Sequence, residues 1–231
     1  MNEVLRQEKK YLISLEDYYL LSTKFSQVMT LDSHSSDDGY TIRSLYFDSL
    51  EGVDWQEKED GVEIRRKIRL RNYGSQSNFA KLEMKQKQGA NQKKRSLKLS
   101  KTDAQALING NNSVLLNYPD TFAAECYSRI TTQLYQPKTV IEYQRKAFVA
   151  KENNIRITFD HHIIGTEASY DIFSEDLNQN YLLDPYLVIL EVKYNGFLLS
   201  YIKELLDSVD RSELSASKYC LGRAVSKHYR F

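Results

Sequence analysis

Along much of the chain apolar and charged residues alternate one for one, the period of a strand with one face in a core. The sharpest instance is Glu63-Ile-Arg-Arg-Lys-Ile-Arg-Leu-Arg71, where Arg65, Lys67, Arg69 and Arg71 point one way and Ile64, Ile68 and Leu70 the other. Lys81, Glu83 and Lys85 oppose Leu82 and Met84 in the same manner, and Lys94, Ser96 and Lys98 oppose Leu97 and Leu99. Arg156, Thr158 and Asp160 oppose Ile155, Ile157 and Phe159, while Glu191 and Lys193 oppose Leu190 and Val192. Strands are therefore predicted at Val4–Ile13, Tyr40–Phe47, Gly61–Tyr73, Ala80–Gln88, Lys93–Leu99, Lys138–Ala150, Ile155–Ile164 and Leu187–Tyr194.

Helical spacing fills the gaps. Ser14-Leu-Glu-Asp17 reads as a capping box opening an amphipathic helix to about Met29. Thr102 is placed to cap a short helix ending at Gly110, and further helices are predicted at Asp120–Gln133, Phe197–Val209 and Ser217 to about Tyr229. Asp32 to Gly39 is a polar loop. No repeat, low-complexity tract or linker divides the chain, so residues 1–231 are expected to form a single α+β domain around one antiparallel sheet.

Like charges aligned on a strand face repel, so a row of cations suits a polyanion lying along it. Two arrangements satisfy the alternation. In an open sheet the helices cover one face and the charges meet solvent. In a closed barrel the helices lie outside and the charged residues line a watered interior, tolerable if anions and a metal occupy it. The excess of cations over the carboxylates beside them leans toward the closed form.

Composition narrows the partners. Lys and Arg number 32 against 31 Asp and Glu, so positive charge is local and general nucleic-acid binding is not expected. The 17 tyrosines suit a sheet-rich fold. Cys126 and Cys220 lie in unrelated segments without metal-ligand spacing and read as ordinary buried thiols in a reducing compartment. The N-terminus has no apolar run of the signal-peptide kind. The most apolar stretch, Tyr181 to Leu190, is broken by Asp184 and Pro185 and is too short to span a bilayer. A soluble cytoplasmic protein is expected. His34, His161, His162 and His228 are expected at the surface. No Ser/His/Asp or Cys/His nucleophile set and no Gly-x-x-x-x-Gly-Lys loop is present, so phosphates would be held by side chains.

Eight motifs come in order: Glu8-Lys-Lys-Tyr11, Ser44-Leu-Tyr-Phe-Asp48, Lys67-Ile-Arg-Leu-Arg-Asn-Tyr73, Leu82-Glu-Met-Lys85, Glu142-Tyr-Gln-Arg145, Arg156-Ile-Thr-Phe-Asp160, Leu190-Glu-Val-Lys193 and Ser217-Lys-Tyr219. Together, from about Arg6 to Tyr229, the chain resembles the polyphosphate polymerase (VTC-like) domain of the vacuolar transporter chaperone complex, one of the triphosphate tunnel metalloenzymes (CYTH-like). The resemblance implies an α+β fold with an eight-stranded antiparallel closed β-barrel and flanking helices, binding ATP, polyphosphate or a related phosphate ligand with Mn²⁺ or Mg²⁺. It places phosphate-binding residues on Lys10, Arg69, Arg71, Lys85, Lys94, Arg145, Arg156 and Lys218. Lys93 and Arg95 flank Lys94, and face parity selects Lys94. The metal falls to Glu191, with Glu8 and Glu83 as candidate second carboxylates or as ion-pair partners of the neighbouring lysines.

In this reading Lys10, Arg69, Arg71, Lys85, Arg145, Arg156 and Glu191 carry the transfer, the arginines clamping phosphate oxygens and the lysines adding point charges while a chain-end phosphate attacks in line. Arg65 and Lys67 continue the basic row toward a mouth, Asp160 orients an arginine or assists the metal, and Glu142 faces the helices by parity. Two departures matter. Triphosphate-hydrolysing relatives carry Glu-x-Glu-x-Lys on the first strand, where this chain reads Arg6-Gln-Glu-Lys-Lys10. The eukaryotic polymerase also has a basic residue where Ser215 stands, and its membrane and regulatory segments have no counterpart here. Polyphosphate synthesis from ATP is expected first; triphosphate hydrolysis and a non-catalytic polyphosphate sensor are the alternatives.

Overall fold

A computed structural model describes residues 6–89, 91–213 and 217–227, except for the side chains of Arg6 and of 225–227. Val4, Ser215, His228 and Tyr229 lie outside the described residues. The strands are β1 (Arg6–Ser14), β2 (Thr30–Leu31), β3 (Tyr40–Asp48), β4 (Ile64–Asn72), β5 (Phe79–Gln88), β6 (Asn91–Ser100), β7 (Gln136–Ala150), β8 (Ile155–Thr166), β9 (Asn180–Tyr181), β10 (Leu187–Asn195) and β11 (Ser212–Glu213). The helices are α1 (Leu15–Val28), α2 (Val53–Glu59), α3 (Lys101–Ile108), α4 (Thr121–Thr132), α5 (Ser200–Asp207) and α6 (Lys218–Lys227). The eight long strands match the alternating segments.

The predicted cap of α1 is present: Ser14 Oγ accepts the Asp17 N–H at 3.0 Å and donates to the Asp17 carboxylate at 2.8 Å. Asp120 caps α4 by accepting the Phe122 N–H. At α3 the cap is Ser100 rather than Thr102, because the helix starts directly from the end of β6 and Ser100 Oγ accepts the Asp103 N–H at 3.1 Å. Helix α2 was not foreseen; seven residues are too few to display a helical period.

The sheet corrects the expected closed barrel. Its pairing path runs β11-β1-β10-β8-β7-β3-β4-β5-β6, with β2 beside β7 and β9 beside β8, and no ladder among the described residues joins the two ends. The outer edge of β1 is taken by β11 through Tyr11↔Glu213 and Leu12↔Ser212. At the other end β6 presents the exposed Lys93, Lys94 and Lys98, and lysines on an edge strand disfavour further pairing. Closure requires two compatible edges, and alternation along each strand carries no information about them.

The chain divides into two compact units. One comprises the described residues through Thr41, Tyr143–Ile163 and Leu183 onward to Glu213; the other comprises Ile42–Glu142, Ile164–Leu182 and the stretch from Ser217. In the first, Phe148 of β7, Ile155, Ile157 and Phe159 of β8 and Val188, Leu190 and Val192 of β10 pack against Leu21 and Phe25 of α1 and Ile202 and Leu206 of α5. In the second, Leu45, Phe47, Ile68, Leu70, Leu82 and Met84 pack against Leu107 of α3 and Phe122, Cys126 and Ile130 of α4. Each such side chain contributes about 1.5–3 kcal/mol when fully buried. Because strand side chains alternate, burying these residues under helices turns the charged residues to the opposite face of the same strands.

Candidate functional site

The second unit carries an unusual charged face. Register aligns Arg71–Lys81–Lys98, Arg69–Glu83–Ser96, Lys67–Lys85–Lys94 and Arg65–Lys87–Gln92 across β4, β5 and β6. Glu83 is the only acid in these rows, and from Arg65 to Arg71 they extend roughly 20 Å along the strands. Directly opposed like charges destabilise a sheet. Glu83, buried at 3% exposure, offsets part of this. Its Oε2 accepts from Arg69 Nε at 2.8 Å and lies 3.4 Å from an Arg71 terminal nitrogen, and its Oε1 lies 2.7 Å from Lys94 Nζ. Burial pushes the Glu83 carboxyl up, but Arg69 and Lys94 outweigh it and hold the group below the ordinary carboxylate range. With both oxygens taken by cations, Glu83 organises the arginines.

Lys94 stands opposite Lys85, whereas Arg95 turns to the other face and pairs with Glu125 of α4 at 2.5 Å. Lys85 is half-buried between Lys67 and Lys94. Lys218 opens α6, whose first turn lies against β4. Lys67 Nζ donates to Ser217 Oγ at 2.5 Å and sits 5.8 Å from the centre of the Tyr219 ring, which stacks on Tyr46. Arg69 in turn donates to the Tyr46 hydroxyl at 3.1 Å. Glu142 pairs with Arg43 at 2.6 Å, and the same guanidinium donates to the carbonyls of Ile172 and Ser174, so Glu142 serves the fold.

The first unit balances its charges instead. Register places Lys10–Glu191–Thr158 and Glu8–Lys193–Arg156 across β1, β10 and β8. Glu191 Oε2 lies 2.8 Å from Lys193 Nζ and 3.9 Å from Arg145, and its Oε1 lies 3.8 Å from Lys10 Nζ. Burial opposes its charge, but Lys193 and Lys10, a hydrogen bond with the Glu8 carboxyl group and Arg145 together hold it well below the ordinary range. Arg145 forms a two-pronged pair with the fully buried Asp160, both contacts at 2.6 Å. Burial disfavours the guanidinium charge, and Asp160 foremost restores it. Asp160 therefore orients an arginine. Arg156 donates to Asp32 at 2.5 Å and to the Tyr40 hydroxyl at 3.4 Å. Gly39, at φ +86°, lets its loop meet β7 where Arg145 departs; a Cβ there would lie 2.4 Å from the Arg145 carbonyl oxygen.

The implied Mn²⁺ or Mg²⁺ can be tested against these donors. No group of three or more His, Cys, Asp or Glu side chains among the described residues suits a metal. The hydrogen-bonded Glu8 and Glu191 pair does fit an ion of the Mg²⁺ kind, which takes one or two carboxylates and fills its remaining positions with phosphate oxygens and water. Glu83 does not fit, since its rows hold no second acid and cations sit 2.8 and 2.7 Å from its two oxygens, whereas at Glu191 only Oε2 is held that closely.

Residues 5–227 match the model of the VTC domain. The chain belongs to the VTC domain family. No curated protein matches the sequence. Among solved structures, this VTC domain is similar to a candidate adenylate cyclase from Bacillus halodurans at 14% identity and a TM-score of 0.55, covering 92% of this chain and 95% of that one. It is also similar to a chain of the Schizosaccharomyces pombe Mediator head module at 8% identity and a TM-score of 0.50, covering 90% of this chain and 100% of that one. At such identities the likeness is one of fold.

Sequence reasoning missed several parts of the domain. Lys87 extends the basic face and its parity could have revealed it, while Lys81 and Lys98, placed on that face by parity, had been given no role. Asp32 and Tyr40, the partners of Arg156, lie in and beside a polar loop and carry no such signal. His161 is half-buried against Tyr18 rather than at the surface, and burial lowers its pKa; His34 and His162 are exposed. Cys126 is buried, its thiol pushed up to about 12 by that burial, and Cys220 is half-buried. No helix among the described residues is long and apolar enough to cross a membrane.

Proposed function

We propose that this VTC domain performs metal-dependent phosphoryl transfer and that its specific reaction is polyphosphate synthesis from ATP. The observation that carries the reading is the basic face of β4, β5 and β6, where cation opposes cation in register with Glu83 as the lone acid. A chain of phosphates laid on that face replaces repulsion with attraction. Arg69 and Arg71, held by Glu83, present planar donors that match phosphate oxygens in pairs, and Lys85, Lys94 and Lys218 contribute point charges.

In the other unit Lys10, Arg145 and Arg156 are assigned to phosphate oxygens, with Arg145 pre-oriented by Asp160. Glu191, kept ionised by its neighbours, and Glu8 would hold Mg²⁺ or Mn²⁺. The ion supplies charge neutralisation and polarisation of a phosphoryl oxygen. Phosphoryl transfer needs positioning and charge compensation more than a protein nucleophile, and these rows of cations with their oriented arginines supply both.

The test is incubation with ATP and Mn²⁺ or Mg²⁺, followed by a gel that resolves polyphosphate length. A ladder that disappears in Glu191→Ala, while that variant still binds polyanion, supports synthesis. Phosphate release without a ladder assigns the domain to triphosphate hydrolysis, and binding without turnover under either metal makes it a sensor.

A further inference from the structure

Within the second unit, one carboxylate ties together three elements. Asp48 closes β3, is fully buried, and accepts four short hydrogen bonds and a longer fifth, from the Ser49 hydroxyl at 3.5 Å. Its Oδ1 takes the backbone N–H groups of Ser49 at 2.7 Å and Asp54 at 2.9 Å. Its Oδ2 takes the Trp55 N–H at 2.9 Å and the Tyr219 hydroxyl at 2.5 Å. Two of these donors belong to the first turn of α2 and one to the first turn of α6, the turn that carries Lys218 and receives the Lys67 hydrogen bond through Ser217. Tyr219, next to Lys218 in the chain, thus anchors the start of α6 through a hydrogen bond that Asp48 accepts.

A second buried carboxyl group adjoins the first. Asp54 is 2% exposed; its Oδ1 accepts from the Tyr135 hydroxyl at 2.8 Å, and its Oδ2 has no protein partner. The charged and titratable groups facing it are Asp48 of β3, Glu57 of α2, Arg66 of β4, Tyr135 and, from α6, Tyr219. Two buried carboxylates close together resist being charged at once. Burial, then Asp48, pushes Asp54 up to about 7, while Tyr135 and Arg66 pull against the rise. Burial and Asp48 together push the Tyr219 phenol far up, so it remains a donor.

We propose that Asp48 is a positioning residue for Lys218 and Lys67, and that the proton on Asp54 sets how firmly Asp48 holds the start of α6, which ties polyanion affinity to pH. This rests on the reading of Lys218 as a phosphate contact and of the basic face that includes Lys67 as the surface a polyanion lies on. When Asp54 loses its proton, repulsion from Asp48 loosens the first turns of α2 and α6. Affinity therefore falls as pH rises through about 7.

The experiment uses the whole chain and tripolyphosphate as probe, with Trp55, the only tryptophan, as an internal reporter on α2. Emission and calorimetric affinity are followed from pH 6 to 8 in the wild type, Asp54→Asn and Tyr219→Phe. The wild type is expected to show an emission transition near neutrality and an affinity loss of about threefold or more, beyond the slope set by the probe's own protonation. Asp54→Asn removes the transition and the excess slope. Tyr219→Phe retains the ring on Tyr46 but loses the bond to Asp48, so it binds several-fold more weakly with a flattened profile. Binding whose pH slope is the same in wild type and Asp54→Asn overturns this inference alone. So does a Tyr219→Phe variant indistinguishable from wild type. Absence of binding at every pH overturns the phosphate reading as well.

Discussion

Replacing Glu83 by Gln keeps the side-chain volume and removes the one negative charge in the basic rows of β4, β5 and β6. The Glu83 side chain is 4% exposed, against 21% for Arg69, 12% for Arg71 and 50% for Lys94. Removing one partner from a buried ion pair costs about 3–5 kcal/mol, because the remaining charge is left uncompensated. Solvent screens the share belonging to Lys94, which places the expected loss near the lower end, about 3 kcal/mol. For a chain of this size that corresponds to a fall in Tm of roughly 6–12 °C.

The pH dependence has a definite sign. Glu83 is held below its usual range when folded, so its contribution is present above the unfolded value of 4.5 and is lost as pH falls through the folded value. Melting curves of wild type and variant should converge in acid and separate toward neutrality. Tripolyphosphate at one fixed concentration, about a hundred times the wild-type Kd, should raise the stability of the wild type by about 2.7 kcal/mol, and the variant should gain more because the ligand also relieves its unbalanced cations and so binds it more tightly. The assay is thermal unfolding followed by circular dichroism at low salt, with and without tripolyphosphate. A variant melting within about 2 °C of wild type, or equal increments from the ligand, would refute the account of Glu83 as the counter-charge of a polyanion-binding face.

In the other unit, Asp160→Asn leaves the buried Arg145 without its two-pronged partner and should cost about 3–5 kcal/mol in urea unfolding, with weaker polyanion binding. Gly39→Ala should destabilise by about 2 kcal/mol or more, because φ is +86° and the new Cβ would collide with the Arg145 carbonyl oxygen; the same unfolding assay reads the loss. Glu191→Ala should abolish turnover in the ATP assay while polyanion binding persists in a filter or calorimetric measurement.

Much of this domain was legible locally. A period of two identified the eight long strands and separated their faces, since side-chain direction along a strand follows from chain geometry alone. The alternation that sent Leu70 and Leu82 inward also aligned Arg69, Arg71 and Lys85 outward, and the motifs along the chain led to the VTC family. The cap at Ser14 was readable because donor and acceptor lie within three residues.

Tertiary structure alone decided the rest. Whether the sheet closes depends on which edges meet, and the edges belong to β6 and to β11 beside β1, strands from distant parts of the chain. Register, not parity, showed that Lys67, Lys85 and Lys94 stand in one row and that Glu83 serves Arg69, Arg71 and Lys94. The bond from Tyr219 to Asp48 spans 171 positions, and no local pattern foretells such a contact. Periodicity records which way a side chain points; its partner, its burial and hence its charge are set only when remote segments pack together.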